Sequence, residues 1–152
     1  MQKEKPFHHI SRGIIVRENK VLVAHAIGYN NTFLPGGHVE FGESAKDALA
    51  REIDEELGVN CVVGNFLGLV EHKWKNKGIV NYEINQVFEI QCDELNINQN
   101  PKSMESHIEF FWCDANDLES ENLQPHPLKD MIKSYLGGSK DVWWESTLDT
   151  NR

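Results

Sequence analysis

Hydrophobic and polar positions alternate in several short segments of this chain and follow a helical period in others. Alternation over residues 8–16 and 20–27 predicts two strands joined by the polar turn at Glu18-Asn19. The segments "VNCVVGNFLGLVEHKW" and "IVNYEINQVFEIQC" predict a longer strand pair around the turn "KNKG", and "HIEFFWC" predicts a further strand. Between the last two, "CDELNINQNPKSMES" is predicted to be a long loop.

Two segments have a helical pattern instead. An apolar residue recurs at every fourth position from Leu49 to Leu57, between a capping residue, Ser44, and a terminating glycine, Gly58. The segment 127–136, "PLKDMIKSYL", predicts a short amphipathic helix with proline at its start. Strands that surround a few helices predict an α/β fold, a mixed β-sheet sandwiched between helices.

The length of 152 residues suits one domain with a substantial core. We place that domain at residues 1–137 and a C-terminal tail at 138–152, which is polar except for Trp143, Trp144 and Leu148. The paired tryptophans are expected to clamp the tail onto its own domain. The alternative is that they contact a second subunit, in a homodimer.

The charge of the chain restricts its partners. The formal net charge of −9 argues against broad electrostatic binding to a nucleic acid polymer or to an anionic membrane. A small anionic substrate remains compatible with this charge, provided that a cation lies between protein and phosphate. The predicted partner is therefore a small molecule.

A cytoplasmic location is the expectation from the remaining composition. No apolar run approaches the roughly 20 residues that cross a bilayer, and "MQKEKPFHHI" lacks the apolar stretch of a secretory signal. The three cysteines, at positions 61, 92 and 113, are odd in number and widely spaced, which favours reduced thiols.

Four acidic residues are crowded into "REIDEELGV", residues 51–59. On a helix, Glu52, Glu55 and Glu56 share one face, whereas Asp54 points elsewhere. Like charges at this spacing cost a few tenths of a kcal/mol per pair, and the helix dipole adds to that cost near the C-terminal end. A bound divalent cation would reverse the sign of this cost. The alternative is an ordinary solvated acidic surface.

The residues before the acidic cluster favour the metal interpretation. From Gly37 the sequence continues with five residues, Glu43, seven residues, and then "REIDEELGV". This arrangement resembles the Nudix box, the signature of the Nudix hydrolases, and all nine specified positions match over residues 37–59. The resemblance implies the Nudix fold. It also implies hydrolysis of a phosphoanhydride bond in a nucleoside diphosphate linked to another group.

The resemblance implies metal ligands at particular positions. Glu52, Glu55 and Glu56 match the metal-binding glutamates of the family, with Mg²⁺ expected and Mn²⁺ as the alternative. Gly37 matches the first glycine of the box, whose carbonyl completes the metal shell in the family. A plain turn glycine is the other interpretation of Gly37.

Further residues support or extend this set. Arg51 is expected to pair with Glu55, and Glu43 is expected to support the loop–helix unit. Family members often recruit a later carboxylate, and here Glu105 is favoured over Glu109, which alternates with apolar strand residues. The resemblance implies a glutamate as the general base, and Glu52 and Glu105 are the candidates. The predicted catalytic residues are thus Arg51, Glu52, Glu55, Glu56 and Glu105.

Residues outside the box would select the substrate. Trp74 offers a platform for a base beside Lys73, Lys75 and Lys77, or else it is a half-buried residue of a solvated turn. Arg12, on the first predicted strand, contacts a phosphate or pairs with a neighbouring acid. Arg12 and Trp74 are therefore the candidate substrate-binding residues.

Three rival functions follow from the same fold. A catalytically silent nucleotide-binding regulator usually lacks box carboxylates, which this chain retains. A related isomerase of allylic diphosphates needs a catalytic cysteine and glutamate outside the box, and the three cysteines fall in strand-like stretches. An mRNA-decapping role is disfavoured because no basic RNA-binding stretch is present.

Overall fold

Two β-sheets form the framework of residues 6–148, the part of the chain that this computed structural model describes. The strands are β1 (Phe7–Ile14), β2 (Val16–Arg17), β3 (Lys20–Ala26), β4 (Gly36–His38), β5 (Val62–Asn76), β6 (Ile79–Gln91), β7 (Ile108–Asp114) and β8 (Trp143–Ser146). The helices are α1 (Ala45–Leu57) and α2 (Leu128–Leu136), and a 3-10 turn covers Ala115–Asp117. Neither α-helix of this region is long and apolar enough to span a bilayer.

The larger sheet has five strands in the order β4-β1-β6-β5-β8 and is mixed. Strand β1 runs parallel to β6 and β5 parallel to β8, whereas β1/β4 and β5/β6 are antiparallel. The smaller sheet is antiparallel, in the order β2-β3-β7.

The two helices cover opposite faces of this framework. Successive residues of β3 point to different apolar clusters: Val21 and Val23 join the cluster of α2, and Leu22 and Ala24 join the cluster of α1. All four side chains are fully buried, as expected of a strand covered on both faces. The predicted mixed sheet between helices is thus confirmed, with its strands divided between two sheets.

Helix α1 begins and ends where the sequence predicts. Ser44 is the N-cap and its hydroxyl accepts a 3.0 Å hydrogen bond from the Asp47 amide. Gly58 has a left-handed conformation (φ 66°) and donates its amide to the Asp54 carbonyl. Leu49, Ile53 and Leu57 are buried, so the predicted apolar stripe anchors the helix.

The long hairpin of β5 and β6 turns at Lys77-Gly78, within the predicted turn. Both residues have positive φ angles, 51° and 79°, as a two-residue type I′ turn requires. The hairpin extends the larger sheet toward one end, where β5 carries Trp74 and β6 carries Glu83.

Two short strands, β4 and β8, were not predicted. Strand β4 lies in a segment broken by proline and glycine, and it is defined only by its pairing with β1. Strand β8 lies in the predicted tail and pairs in parallel with Gly68–Glu71 of β5. Its first residue, Trp143, packs against the cluster of α2, whereas residues 149–152 of the tail lie outside the described region.

We predict that Gly36→Ala destabilises the protein severely. Gly36 has a φ of 136°, and a Cβ there would lie 2.0 Å from the Ser11 carbonyl oxygen. Backbone strain and overlap together should lower the free energy of unfolding by roughly 3 kcal/mol, measured by urea denaturation. Gly28→Ala is the control, since Gly28 also has positive φ (97°) but its Cβ would meet nothing within 4 Å. Equal losses in the two variants would contradict the role of the β1–β4 contact.

Candidate active site

One carboxylate of α1, that of Glu56, points into the protein interior. Glu56 is only 4% exposed, although it belongs to the acidic cluster. Its Oε2 atom is buried and has no hydrogen-bond partner among the described residues. Burial raises the pKa of Glu56 to about 8, Arg12 opposes this increase, and Glu52 and Glu105 add to it. An ordinary solvated acidic surface does not account for this residue.

Arg51 holds the outer carboxylates in place. Its guanidinium donates two hydrogen bonds to Glu43, of 2.8 and 2.9 Å, one of 3.2 Å to Glu52, and two to Glu55, of 3.2 and 3.3 Å. A further hydrogen bond of 3.1 Å reaches the carbonyl of His38, in β4. Arg51 therefore links β4 to α1, and it also forms the predicted pair with Glu55.

Glu43 has the support position that the sequence predicts. Hydrogen bonds from Arg51 lower its pKa to about 2, and a backbone hydrogen bond of 3.1 Å from Glu40 contributes. It accordingly stays ionised and keeps the arginine in its orientation.

Gly37 lies directly against Glu52. A Cβ at this position would come within 2.5–2.7 Å of the Glu52 carboxyl group, so a larger residue would displace that carboxyl. Burial raises the pKa of Glu52, and Arg51 opposes the increase. The close approach places backbone of β4 beside the acidic helix face, although a ligand role for the Gly37 carbonyl stays a prediction.

The two later carboxylates lie in different environments. Burial is the main cause of the raised pKa of Glu52 and of Glu56, and the negative charge of Glu105 adds to both. The loop that carries Glu105 is attached to α1 by a hydrogen bond from the Met104 amide to the Glu56 carbonyl. Glu109 instead pairs with His25 at 2.8 Å. The structure therefore brings Glu105, and not Glu109, toward the box carboxylates.

The carboxylates of the acidic cluster have the ligand chemistry that a divalent cation requires. Carboxylate oxygens are the ligands that Mg²⁺ and Mn²⁺ prefer, and the unpaired buried oxygen of Glu56 is a strong acceptor without a donor. Within residues 6–148, however, no three His, Cys, Asp or Glu side chains converge closely enough to form a coordination shell. Glu52 and Glu55 are held by Arg51 instead.

A cleft of about 640 Å³ has Arg12, a charged neighbour of Glu56 and Glu52, in its wall. Arg12 and Trp74, the two candidate substrate-binding residues, both line it. Its wall also contains the aromatic rings of Tyr29 and Phe33. Amide side chains from two loops and from the end of β5 complete it: Asn30, Asn31, Asn76, Asn122 and Gln124. Aromatic faces and amides are suited to a planar, hydrogen-bonding ligand.

Arg12 lies between the cleft and the carboxylates. It donates hydrogen bonds to the carbonyls of Leu34 (3.0 Å) and Gly36 (3.4 Å), and its guanidinium is 5.3 Å from the centre of the Phe33 ring. Burial lowers the pKa of Arg12, whereas Glu83, Glu56 and Glu52 oppose this effect. Both interpretations of Arg12 remain compatible with this position: it faces acidic neighbours and lines the cleft.

Trp74 is more constrained than the sequence suggests. Its indole N–H donates to the Glu83 carboxylate, and its ring stacks on His8 at a centroid distance of 6.1 Å. Glu83 is buried at the cleft and was not among the predicted residues. The sequence did contain a signal for the burial of Glu83. Glu83 lies four residues before Val87 on β6, and strand alternation places both side chains on the same face of the sheet.

Comparison with known proteins gives the family of this chain. The family model of the NUDIX domain matches residues 7–135. The chain is 44% identical to an ADP-ribose pyrophosphatase of Methanocaldococcus jannaschii over 62 residues, which are 38% of this chain and 36% of that protein. It is 30% identical to an isopentenyl-diphosphate Delta-isomerase of Cereibacter sphaeroides over 92 residues, 59% of this chain and 50% of that protein. The chain thus spans at most about half the length of either relative.

The fold resembles that of a solved structure at lower identity. The crystal structure of a mutator MutT protein from Bacillus halodurans superimposes with a TM-score of 0.71, at 18% sequence identity, covering 91% of this chain and 88% of that chain. The family match extends over most of the chain and includes every element from β1 to α2 except the last residue of α2. This protein therefore belongs to the Nudix family.

Proposed function

We propose that this protein is a divalent-metal-dependent pyrophosphohydrolase that cleaves a phosphoanhydride bond in a nucleoside diphosphate linked to another group. The observation that carries the proposal is the buried Glu56 carboxylate, with one oxygen unpartnered, beside Glu52 and Glu105. Membership of the Nudix family and the similarity to an ADP-ribose pyrophosphatase support the reaction class.

Each residue has a proposed role. Glu52, Glu55, Glu56 and the Gly37 carbonyl would hold the cation, for which Mg²⁺ is proposed and Mn²⁺ is the alternative. The bound cation would supply Lewis acidity toward the phosphoanhydride and toward the attacking water. Arg51 orients Glu52 and Glu55 through the hydrogen bonds described above.

Proton transfer and substrate orientation would depend on groups around this cluster. Glu52 or Glu105 would accept the proton of the attacking water. Arg12 lies between the cleft and the acids, where its positive charge would offset the repulsion between the phosphates and a chain of net charge −9. The cleft, with Trp74 in its wall, would hold the nucleoside.

The isomerase alternative depends on an activated thiol, which the described cysteines do not provide. Burial raises the pKa of Cys61 and of Cys113 to about 11, and that of Cys92 in the same direction. A reactive cysteine needs a lowered pKa. In addition, none of the three lines the cleft. We therefore favour hydrolysis over isomerisation.

A substrate panel tests the reaction class. We expect hydrolysis of at least one compound among nucleoside triphosphates, nucleotide sugars, ADP-ribose, dinucleoside polyphosphates and a 5′-triphosphorylated oligoribonucleotide. Activity should require Mg²⁺ or Mn²⁺ and disappear in EDTA, because the carboxylates alone repel the substrate. Isopentenyl diphosphate is included as the isomerase arm. Tight nucleotide binding without turnover would instead favour the silent regulator.

Removal of single carboxylates tests the site. Glu56→Gln and Glu52→Gln should each lower kcat/KM roughly 100-fold or more, because each removes one negative charge at the cation. Asp54→Asn is the matched control, since Asp54 is exposed on the same helix and was predicted to point away from the acidic face. A loss of similar size in all three variants would indicate a general charge effect and not a site.

The raised pKa of Glu56 predicts that the free energy of unfolding of the metal-free protein depends on pH. Because the folded-state pKa is about 8 and the ordinary value is 4.5, protonated Glu56 stabilises the fold below pH 4.5, and this contribution is lost as pH rises toward 8. The stability of wild type in EDTA should therefore fall by roughly 3 kcal/mol more between pH 5 and pH 8 than that of Glu56→Gln, whose amide does not titrate. Urea denaturation at both pH values measures this, and an unchanged difference would contradict the burial of a charge at this position.

A further inference from the structure

His25, near the end of β3, makes hydrogen bonds with both of its ring nitrogens. Nδ1 lies 2.8 Å from a carboxylate oxygen of Glu109, and Nε2 lies 2.5 Å from the backbone carbonyl oxygen of Tyr29. A carboxylate and a carbonyl accept hydrogen bonds and cannot donate them. A neutral imidazole has only one N–H, so both bonds form together only when His25 is an imidazolium.

The bond to Tyr29 fixes one end of a loop that borders the cleft. Residues 28–32 connect β3 to the segment before β4, and Tyr29, Asn30 and Asn31 of this loop line the cleft. The rest of the loop is held separately: the Thr32 hydroxyl donates a 2.9 Å hydrogen bond to the Glu121 carbonyl, and the Asn122 side-chain amide donates one of 3.3 Å to the Asn30 carbonyl. Tyr29 is 69% exposed, so packing contributes little to its position.

The charges around His25 favour its protonated form. Glu109 faces it from β7, and Glu121 faces it from the segment after the 3-10 turn, across a small cavity of about 260 Å³ that all three residues line. The hydrogen bond to the Tyr29 carbonyl, followed by that to Glu109, raises the pKa of His25. The stabilisation is thus fully present below the ordinary value near 6.5 and is lost as pH rises through the raised value.

We propose that His25, as an imidazolium bridging Glu109 and the Tyr29 carbonyl, is a positioning residue that holds the 28–32 loop against the nucleoside cleft. Deprotonation leaves one N–H for two acceptors, so the link from Glu109 through His25 to the Tyr29 carbonyl is broken and the Tyr29 end of the loop is held less firmly. This inference rests on the proposed function, because it assigns the cleft to the nucleoside. Protonation of a residue outside the catalytic cluster then sets substrate affinity without changing the chemical step.

Binding of nucleoside diphosphates tests this role without turnover. The probes are ADP, GDP, CDP and UDP with Mg²⁺, and the tightest of them is titrated by calorimetry from pH 6 to pH 9. The ratio of the Kd of His25→Gln to the Kd of wild type should be roughly 3–10 at pH 6 and approach 1 at pH 9. The glutamine amide carries both of its N–H donors on one nitrogen, so it cannot place them at the positions of the two ring nitrogens. His9→Gln is the control, because His9 bonds Gln86 on the face of the sheet that carries α1. Its Kd should follow that of wild type at every pH.

A second measurement needs no ligand. Nitrogen-15 resonances of the His25 ring should show both nitrogens protonated at pH 6, with a titration midpoint that falls in Glu109→Gln. With the best substrate of the panel, His25→Gln should raise KM at pH 6 and leave kcat unchanged.

The outcomes separate the two proposals. A pH-independent Kd ratio, or a His25 ring that carries one N–H at pH 6, overturns the role of His25 while the hydrolase assignment stands. Failure of all four diphosphates to bind wild type overturns the assignment of the cleft to the nucleoside, and with it the role of His25, whereas the substrate panel decides the hydrolase assignment independently.

Discussion

The arrangement of this site depends on the repulsion among carboxylates on one turn of α1, of which Glu56 is buried. Taking an ionised carboxylate out of water without a hydrogen-bond partner for one oxygen is costly, as its raised pKa reflects. The fold tolerates this cost because Leu49 and Ile53 anchor the same helix in a fully buried cluster. A site of this kind is stable only within a larger framework.

Arg51 makes the crowding compatible with a defined geometry. One guanidinium contacts three carboxylates and the carbonyl of His38, so it orients the helix face and attaches β4 to it at the same time. The pairing of β4 with β1 then presses Gly37 against Glu52 and places Gly36 against Ser11. Both glycines are required for steric reasons: a Cβ at Gly36 would overlap the Ser11 carbonyl, and a Cβ at Gly37 would overlap the Glu52 carboxyl.

The acidic cluster concentrates negative charge, and Arg12 lies between this cluster and the cleft. The overall charge of −9 would repel an anionic ligand, whereas Arg12 places a positive charge where the two regions meet. The cleft itself is lined by aromatic rings and amides, with Glu83 as a buried acceptor beneath Trp74. Its outer wall is the 28–32 loop, whose position depends on contacts from β3 and from residues 121–122.

The sequence by itself determined the local elements and the residues of the box. Helix α1, its caps and the long hairpin follow from short-range patterns and agree with the structure, because capping, turn chemistry and periodicity act over a few neighbouring residues. The choice of Glu105 over Glu109 as a site residue stays a prediction. Tertiary structure alone decided β4 and β8, the burial of Glu56 and the cleft role of Glu83. A three-residue strand has no period of its own, and the burial of a polar side chain depends on distant segments, such as β1 and the loop before β7, that no local pattern specifies.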